Sequence, residues 1–479
     1  MRNGLADLST THRHLLIQRD EALVQRASDA MLTAVAPHLT DDAVATSQLP
    51  HYAVNWCEAS FGDRHPQSRQ KYTVPWFRLL YKVHKAELGF RGLTGNHTWV
   101  TQPFALLLAF LLMSYVIASS SYLRDSDQFV GELNRVKVED HHFLVTYDVV
   151  RLYPTIPHAL CISLLTDYLN SHGCTYTAFL MAILNTVLTE NYCYFAGYYW
   201  KQIIGFATGV ACGAEVAHLF LHALFEPVFS DSRFAPFLIY NRRYIDDGVL
   251  IWAGSPLLLE AMFAALNAQC DEINLTKEVS SERLVFLDVS AYKGSRWRKE
   301  GFLDTEVFQK EMNRYLYTPP TTEHPRHTHF GLIKGELLRY IKKSSSFCAY
   351  VDIACAFHQR LRARGFSLNL LSEAFSKAPS YDLRDELLAK ALAPRSIDSN
   401  SLPVLVFSAV FSRSKEATGL SRAIFLNQSL LRSAFADAPS FSDLRLVNAW
   451  RVAPKIGGRL LTFRFPSTKK EADFIKPSL

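Results

Sequence analysis

The sequence predicts an α/β or α+β lobe, and three observations predict it. Two β-prone runs carry carboxylates at their ends: 143–147 leads into Asp148, and 237–252 folds around Asp246 and Asp247. Helix-period stretches at 158–169 and 214–228 separate them, and strands alternating with helices build mixed lobes. Hydrophobic residues make up 49% and charged residues 20% of the 479 positions, which allows a sizeable core and excludes wholesale disorder. At about 100–200 residues per domain, the length leaves room for about three packed units.

Residues 1–70 read as a polar-rich helical extension, with Thr10 or Thr11 as a cap ahead of Leu15, Ala22, Leu23 and Ala27 at helical spacing. Polar residues interrupt the N-terminus before a signal-peptide core builds up. The apolar run at 104–118 is shorter than the ~20 residues a membrane span needs. Ser114 and Tyr115 interrupt it, so a buried core helix and no membrane partner are expected. The eight cysteines (Cys57, Cys161, Cys174, Cys193, Cys212, Cys270, Cys348 and Cys355) show no C-x-x-C spacing, which excludes a zinc ribbon or redox motif and predicts buried free thiols in a reducing compartment. Residues 392–403 are the best linker, and helical periodicity returns around 332–341 and 350–361. The net charge of +6 is a mild bias towards anionic partners, much of it in residues 451–479, where seven Lys and Arg stand against two acids.

The chemistry lies in two motifs. In LVTYDVVRLYPTIP (144–157), an apolar strand delivers Asp148 at its end, and Pro154 and Pro157 then force the chain out of the sheet. In RYIDDGVLIW (243–252), two β-prone arms flank Asp246-Asp247-Gly248, where Asp and Gly tolerate positive φ at a hairpin tip. Taken alone, each motif is an ordinary turn or cap. If the two elements pair in one sheet, Asp148 and Asp246 project to the same edge. Such a pair, with a triphosphate, can hold two Mg²⁺ ions about 3.5–4 Å apart, one activating a 3′-hydroxyl and the other the leaving pyrophosphate.

With these motifs the sequence resembles reverse transcriptases, in particular the Penelope-like group. YDVVRLYPTIP resembles the first palm motif, and RYIDDGVLIW resembles the RYIDD hairpin that carries the second metal ligand. GFATGVACGAEVAHLF (205–220) is similar to the Gly-rich motif under the templating base, and LYKVHKAELGFRGL to a fingers segment. LVFLDVSAYKG, YTPPTTEHP and GLIKGELLRYIKKSSS look like the segment joining palm to thumb. The resemblance implies an α+β right-hand polymerase: a helical extension over 1–70, fingers and palm over 71–290, a palm–thumb junction and helical thumb over 291–395, and a basic segment over 396–479. Asp148, Asp246 and Asp247 would be catalytic metal ligands for two Mg²⁺, with Mn²⁺ a substitute. Tyr153 would be the gate that excludes a ribose 2′-hydroxyl. Lys82, Lys85 and Arg91 would close over the triphosphate, and Gln202, Gly205 and Gly209 would border the substrate, the glycines through close backbone approach.

Lys334, Arg339, Lys342 and Lys343 would face the template–primer duplex. Asp288 reads as structural, and Lys277 is a weak candidate for the general acid that protonates pyrophosphate. The implied partners are an RNA template, a DNA primer and dNTPs, in an intracellular setting that is nuclear for a eukaryotic retroelement product. No zinc is expected at His324, His327, His329 and His358. Thr208 and Gly92 depart from the family pattern, which has Met and Pro there, and no GIY…YIG endonuclease module follows. An inactive nucleic-acid-binding scaffold and an RNA-templated RNA polymerase are the alternatives.

Overall fold

The computed structural model describes residues 14–17, 22–61, 72–81, 90–310, 313–322, 324–393, 404–410 and 445–451. The chain divides into two compact units, Met1–Asn313 with Lys343–Ser346, and Arg314–Lys342 with Phe347–Leu479. The expected boundary at 290 therefore falls inside a strand, Val289–Tyr292, which stays paired within the first unit.

The strands of the first unit are β1 (His14–Ile17), β2 (Phe77–Tyr81), β3 (Phe90–Thr94), β4 (Phe143–Val149), β5 (Tyr192–Phe195), β6 (Tyr198–Gln202), β7 (Leu238–Tyr244), β8 (Asp247–Trp252), β9 (Leu275–Ser280), β10 (Arg283–Phe286), β11 (Val289–Tyr292) and β12 (Asp304–Val307). They form a central antiparallel sheet in the order β7-β8-β4-β9, two three-stranded sheets (β1-β6-β5 and β10-β11-β12) and a β2-β3 hairpin. The unit is α+β, with an antiparallel sheet packed on helices, as expected.

Side-chain alternation decides which face of the central sheet is buried. Val145, Tyr147 and Val149 of β4 and Leu250 and Trp252 of β8 join one core with the helices Gln102–Ala118, His158–Ser171, Thr177–Thr189, Gly213–Phe229 and Pro256–Asn267. Thr146 and Asp148 take the other face. The 104–118 run is indeed a helix. It is apolar all round, and Leu106, Phe110, Met113 and Ile117 are exposed along one side. Among the described residues, no helix is long and apolar enough to cross a membrane.

The N-terminal expectation needs one correction. Leu15 lies in β1, which pairs antiparallel with β6 in the register His14↔Gln202. The helix starts at Leu23 after Ala22, and Leu23, Ala27, Met31 and Val35 line its buried face. Thr10 and Thr11 lie outside the described residues, as does most of the linker. Six of the eight cysteines are buried, whereas Cys348 and Cys355 are exposed.

The second unit contains the helices Arg326–Lys343 (up to Lys342), Phe347–Ala363, Leu368–Ser376 and Arg384–Leu392. Within the segment read as a basic tail, β13 (Val404–Val410) and β14 (Arg445–Arg451) pair in parallel.

Candidate active site

The central sheet brings the two motifs together. β4 pairs with β8 so that Asp148 lies opposite Asp247, and the Val149 amide donates to the Asp246 carbonyl at 3.3 Å. Asp246 is the second residue of a two-residue turn, because Tyr244 already pairs with Asp247. All three aspartates therefore occupy one end of the sheet. The direct cross-strand partner of Asp148 is Asp247, not Asp246.

The turn is not built as the Asp-Asp-Gly composition suggests. The positive φ belongs to Ile245, at 57°. Gly248 sits inside β8, where a Cβ would run into the ring of Tyr147. It is glycine because Tyr147, fully buried and edge-on to Phe263 at 5.9 Å, fills that space. A β-branched residue in the left-handed region is strained by about 1–3 kcal/mol and persists where surrounding contacts over-determine it. Arg243 supplies those contacts. Its side chain is 1% exposed and donates to the Ile245 carbonyl at 2.7 Å and the His218 carbonyl at 2.8 Å. Burial pulls its pKa down to about 10, while Tyr147 and Asp246 favour its charge.

Charge accumulates at this end of the sheet. Burial, then Asp246 and Asp148, pushes the Asp247 carboxyl up to about 6, with Lys310 pulling it back. By accessible area Asp247 is exposed, so the neighbouring carboxylates are the cause best supported by the geometry. Hard oxygen donors crowded until one resists ionisation suit a divalent cation. The three aspartates do not form a closed cage, however. Among the described residues, the one trio of possible ligands with atoms within 4.8 Å of one another is Glu139, His141 and His142.

That trio precedes β4, at the end of the strand away from Asp148. His142 Nδ1 already accepts from the Glu139 amide at 3.1 Å, and the Lys293 ammonium donates to the Asp140 and His142 carbonyls. Both features oppose a dication there.

The crowding at Asp247 also sets a pH dependence. A carboxyl raised from 3.8 to about 6 costs the folded state progressively as pH climbs through that window, and nothing below it. Without Mg²⁺, Asp247→Asn is therefore expected to gain in melting temperature over the parent as pH rises from 4 to 7. Mg²⁺ in the millimolar range should erase the gain, and a constant difference across the range would contradict the argument.

Tyr153, in the Leu152–Thr155 turn of helix, joins the aspartates. Burial, followed by Asp246, Glu215 and Tyr244, pushes its hydroxyl up to about 12. Gly205 and Gly209 are approached closely, but by protein. A Cβ on Gly205, at φ 75°, would collide with the Tyr153–Pro154 backbone, and one on Gly209 would strike the Thr94 carbonyl. Thr208 and Gly92, two of the positions that depart from the resembled pattern, are partners, since Thr208 Oγ1 donates to the Gly92 carbonyl at 2.9 Å.

Gln202 is turned inward. It is 6% exposed, accepts from Asn191 Nδ2 at 3.1 Å and donates to the Ile204 carbonyl at 2.9 Å, so neither end of its amide faces a substrate. Lys277 pairs with Glu260 at 2.8 Å and lies over the Phe263 ring, on the face of the sheet away from Asp148. That placement removes it as a general acid.

Lys82 and Lys85 lie outside the described residues, and so does the side chain of Arg91; its backbone belongs to β3. In the second unit, Lys334 is exposed, Lys342 is half-buried and Arg339 pairs with Glu336 at 2.7 Å. Lys343 departs from the expected duplex-facing group. It belongs to the first unit, is 3% exposed, and its ammonium lies 2.6 Å from Ser126 Oγ, 3.1 Å from Asp127 and 3.5 Å from Asp288. Asp288, read as structural, takes part in this buried ion pair.

Sequence reasoning missed Arg243, Lys310 and Glu215. A carboxylate in the first turn of the mostly apolar helix Gly213–Phe229, which also carries His218, His222 and Glu226, was the legible signal for Glu215. Arg243 gave none, because arginine in a strand ordinarily reads as exposed.

No family model matches the chain, and no curated protein matches it. Among solved structures, it is similar to a telomerase from Candida albicans in complex with a fragment of telomeric RNA. The identity is 9% and the TM-score 0.44, over 68% of this chain and 62% of that one. It is also similar to the RNA-dependent RNA polymerase of a human picorbirnavirus, at 11% identity and a TM-score of 0.46, covering 80% and 79% of the two chains. The chain thus spans less than two thirds of the telomerase's length. Neither likeness singles out the Penelope-like group.

Proposed function

We propose that the chain is an RNA-directed DNA polymerase of Penelope-like type, extending a primer 3′-hydroxyl with dNTPs on an RNA template. The observation that carries this reading is the convergence of Asp148, Asp246 and Asp247 at one end of an antiparallel sheet, where Asp148 lies opposite Asp247 and Asp246 closes the turn. Residues 71–290 would act as fingers and palm, and 291–395 as palm–thumb junction and thumb. Lys334, Arg339 and Lys342 would line the duplex path.

Asp148 and Asp246 would hold the divalent ions, and Asp247 would add charge beside them. Two Mg²⁺ ions, once bound with the triphosphate, supply charge neutralisation and an activated 3′-hydroxyl. The strand ends fix where the carboxylates stand before substrate arrives, which limits reorganisation during the reaction. Tyr153, electrostatically coupled to Asp246, would stand against the sugar of the incoming nucleotide.

Primer extension by the purified chain, with RNA and DNA templates and with dNTPs and rNTPs in parallel, tests the reading. Mg²⁺-dependent dNTP incorporation on RNA is expected. An inert chain that still binds nucleic acid would establish the scaffold alternative, and rNTP incorporation the RNA polymerase. Tyr153→Ala is expected to admit rNTPs, lowering the dNTP-to-rNTP ratio of kcat/KM by about 10- to 100-fold, the scale on which a pocket discriminates one small group. An unchanged ratio would remove Tyr153 from sugar selection.

A further inference from the structure

The Gly-rich segment 205–213 holds Tyr153 at two points. At its start, the Phe206 amide donates to the Tyr153 carbonyl at 2.7 Å and the Gly205 amide to the Ile156 carbonyl at 2.9 Å. At its end, a Cβ on Gly213 would lie 3.1 Å from Tyr153 Cε1, so the ring rests against this residue. One segment thus fixes both the backbone and the ring of Tyr153.

The segment is in turn held by a side chain from the helix that follows Tyr153. His158, half-buried at the first position of the helix His158–Ser171, places Nε2 2.9 Å from the Gly205 carbonyl oxygen. A carbonyl can only accept, so Nε2 carries the proton and donates. Burial lowers the His158 pKa, which favours the neutral ring with Nδ1 unprotonated.

Gly205 is buried, and no other donor among the described residues reaches its carbonyl. At φ 75°, a Cβ here would lie 2.5 Å from the Tyr153 carbonyl oxygen, so the approach is made by bare backbone. A buried acceptor left without a donor costs about 1–3 kcal/mol. The imidazole is what makes this close approach tolerable.

We propose that His158 is a positioning residue for sugar selection: its Nε2–H clamps the Gly205 carbonyl, and the clamped segment holds the Tyr153 ring at the sugar. This rests on the polymerase reading above and deepens it. No covalent bond changes, since the imidazole keeps its proton throughout. Without the clamp, Gly205 and Phe206 are free to draw away from Tyr153 and Ile156. The ring then loses the support at Gly213 that sets its angle, and a displaced ring discriminates less between sugars.

The test compares the parent chain with His158→Phe, which keeps a flat ring but cannot donate, and His158→Gln, which carries an amide N–H at similar reach. Two quantities are read: the dNTP-to-rNTP ratio of kcat/KM, and hydrogen exchange of the Gly205 and Phe206 amides in the chain without nucleotide. In His158→Phe the ratio is expected to fall about tenfold and these amides to exchange about tenfold faster, the scale of one hydrogen bond. In His158→Gln both should stay within about threefold of the parent, the donor being restored. The double variant Tyr153→Ala/His158→Phe should fall no further than Tyr153→Ala, because the clamp acts through that ring.

An unchanged ratio in His158→Phe overturns the proposal even if the variant melts earlier, since the bond would then serve stability alone. An equal fall in His158→Gln overturns it by pointing to ring packing. A double variant that falls beyond Tyr153→Ala overturns it by showing that His158 acts on the nucleotide by another route. Unchanged exchange at Gly205 and Phe206 removes the clamp whether or not the chain polymerises. If the parent chain incorporates no nucleotide, the polymerase reading fails and the sugar-selection role falls with it, while exchange still reports on the clamp.

Discussion

Asp148→Ala and Asp246→Ala are each expected to abolish primer extension, lowering incorporation by more than about 10³-fold. That exceeds the loss typical of a single stabilising donor, because each aspartate both holds metal and offsets its charge. Nucleic-acid binding should survive in both variants or tighten slightly, since each removes a negative charge from a surface that must meet a polyanion. Asp247→Asn is expected to lose less. Burial and the two neighbouring carboxylates push the Asp247 carboxyl up, so its charge is less readily available to a metal. Single-turnover incorporation beside a filter-binding assay separates the two effects. Full activity in either alanine variant would mean that the carboxylates share a sheet end for structural reasons alone.

Much of this end of the sheet was legible because local signals and tertiary placement agreed there. The apolar run before Asp148 and the arms around Asp246 are strands, and 214–228 lies within an observed helix, since hydrophobic period tracks the buried face. What could not be read was decided by distant partners. The four residues of β1 gain their identity from β6, nearly 190 positions away. Gly205 and Gly209 each announce a close approach, but not by what; the answers are the Tyr153–Pro154 backbone and the Thr94 carbonyl. Lys343 and Gln202 carry polar groups that composition places outside, whereas in the structure they satisfy buried partners. The turn was misread for the same reason. Residue preference puts positive φ at Asp or Gly, but the Asp148↔Asp247 register and the Arg243 side chain impose it on Ile245.

That imposed turn yields the second large effect. Asp246 follows a residue held in a left-handed conformation by one buried guanidinium, which bonds the carbonyl of the strained residue and the carbonyl of His218 in the helix beneath. Arg243→Met keeps the apolar stem but removes the side-chain donor to the Ile245 carbonyl, which costs about 1–3 kcal/mol when left buried without a donor, and the extra donor to the His218 carbonyl, already an acceptor within its helix. It also frees Ile245 to relax towards negative φ, which would rotate Asp246 away from Asp148. The variant is expected to lose about 1–3 kcal/mol of stability, the cost of a buried acceptor left without its donor. At temperatures where it stays folded, it should lose at least about 100-fold in incorporation, the scale on which misplacing a reacting group is felt. Arg243→Lys retains the charge, but a single ammonium has to serve two separate carbonyls where the planar fork reached both, so an intermediate loss is expected. Chemical denaturation and incorporation kinetics on the same samples distinguish the outcomes. If Arg243→Met lost stability while incorporation by the folded fraction stayed at the parental rate, Arg243 would be a core residue with no hold on the placement of Asp246.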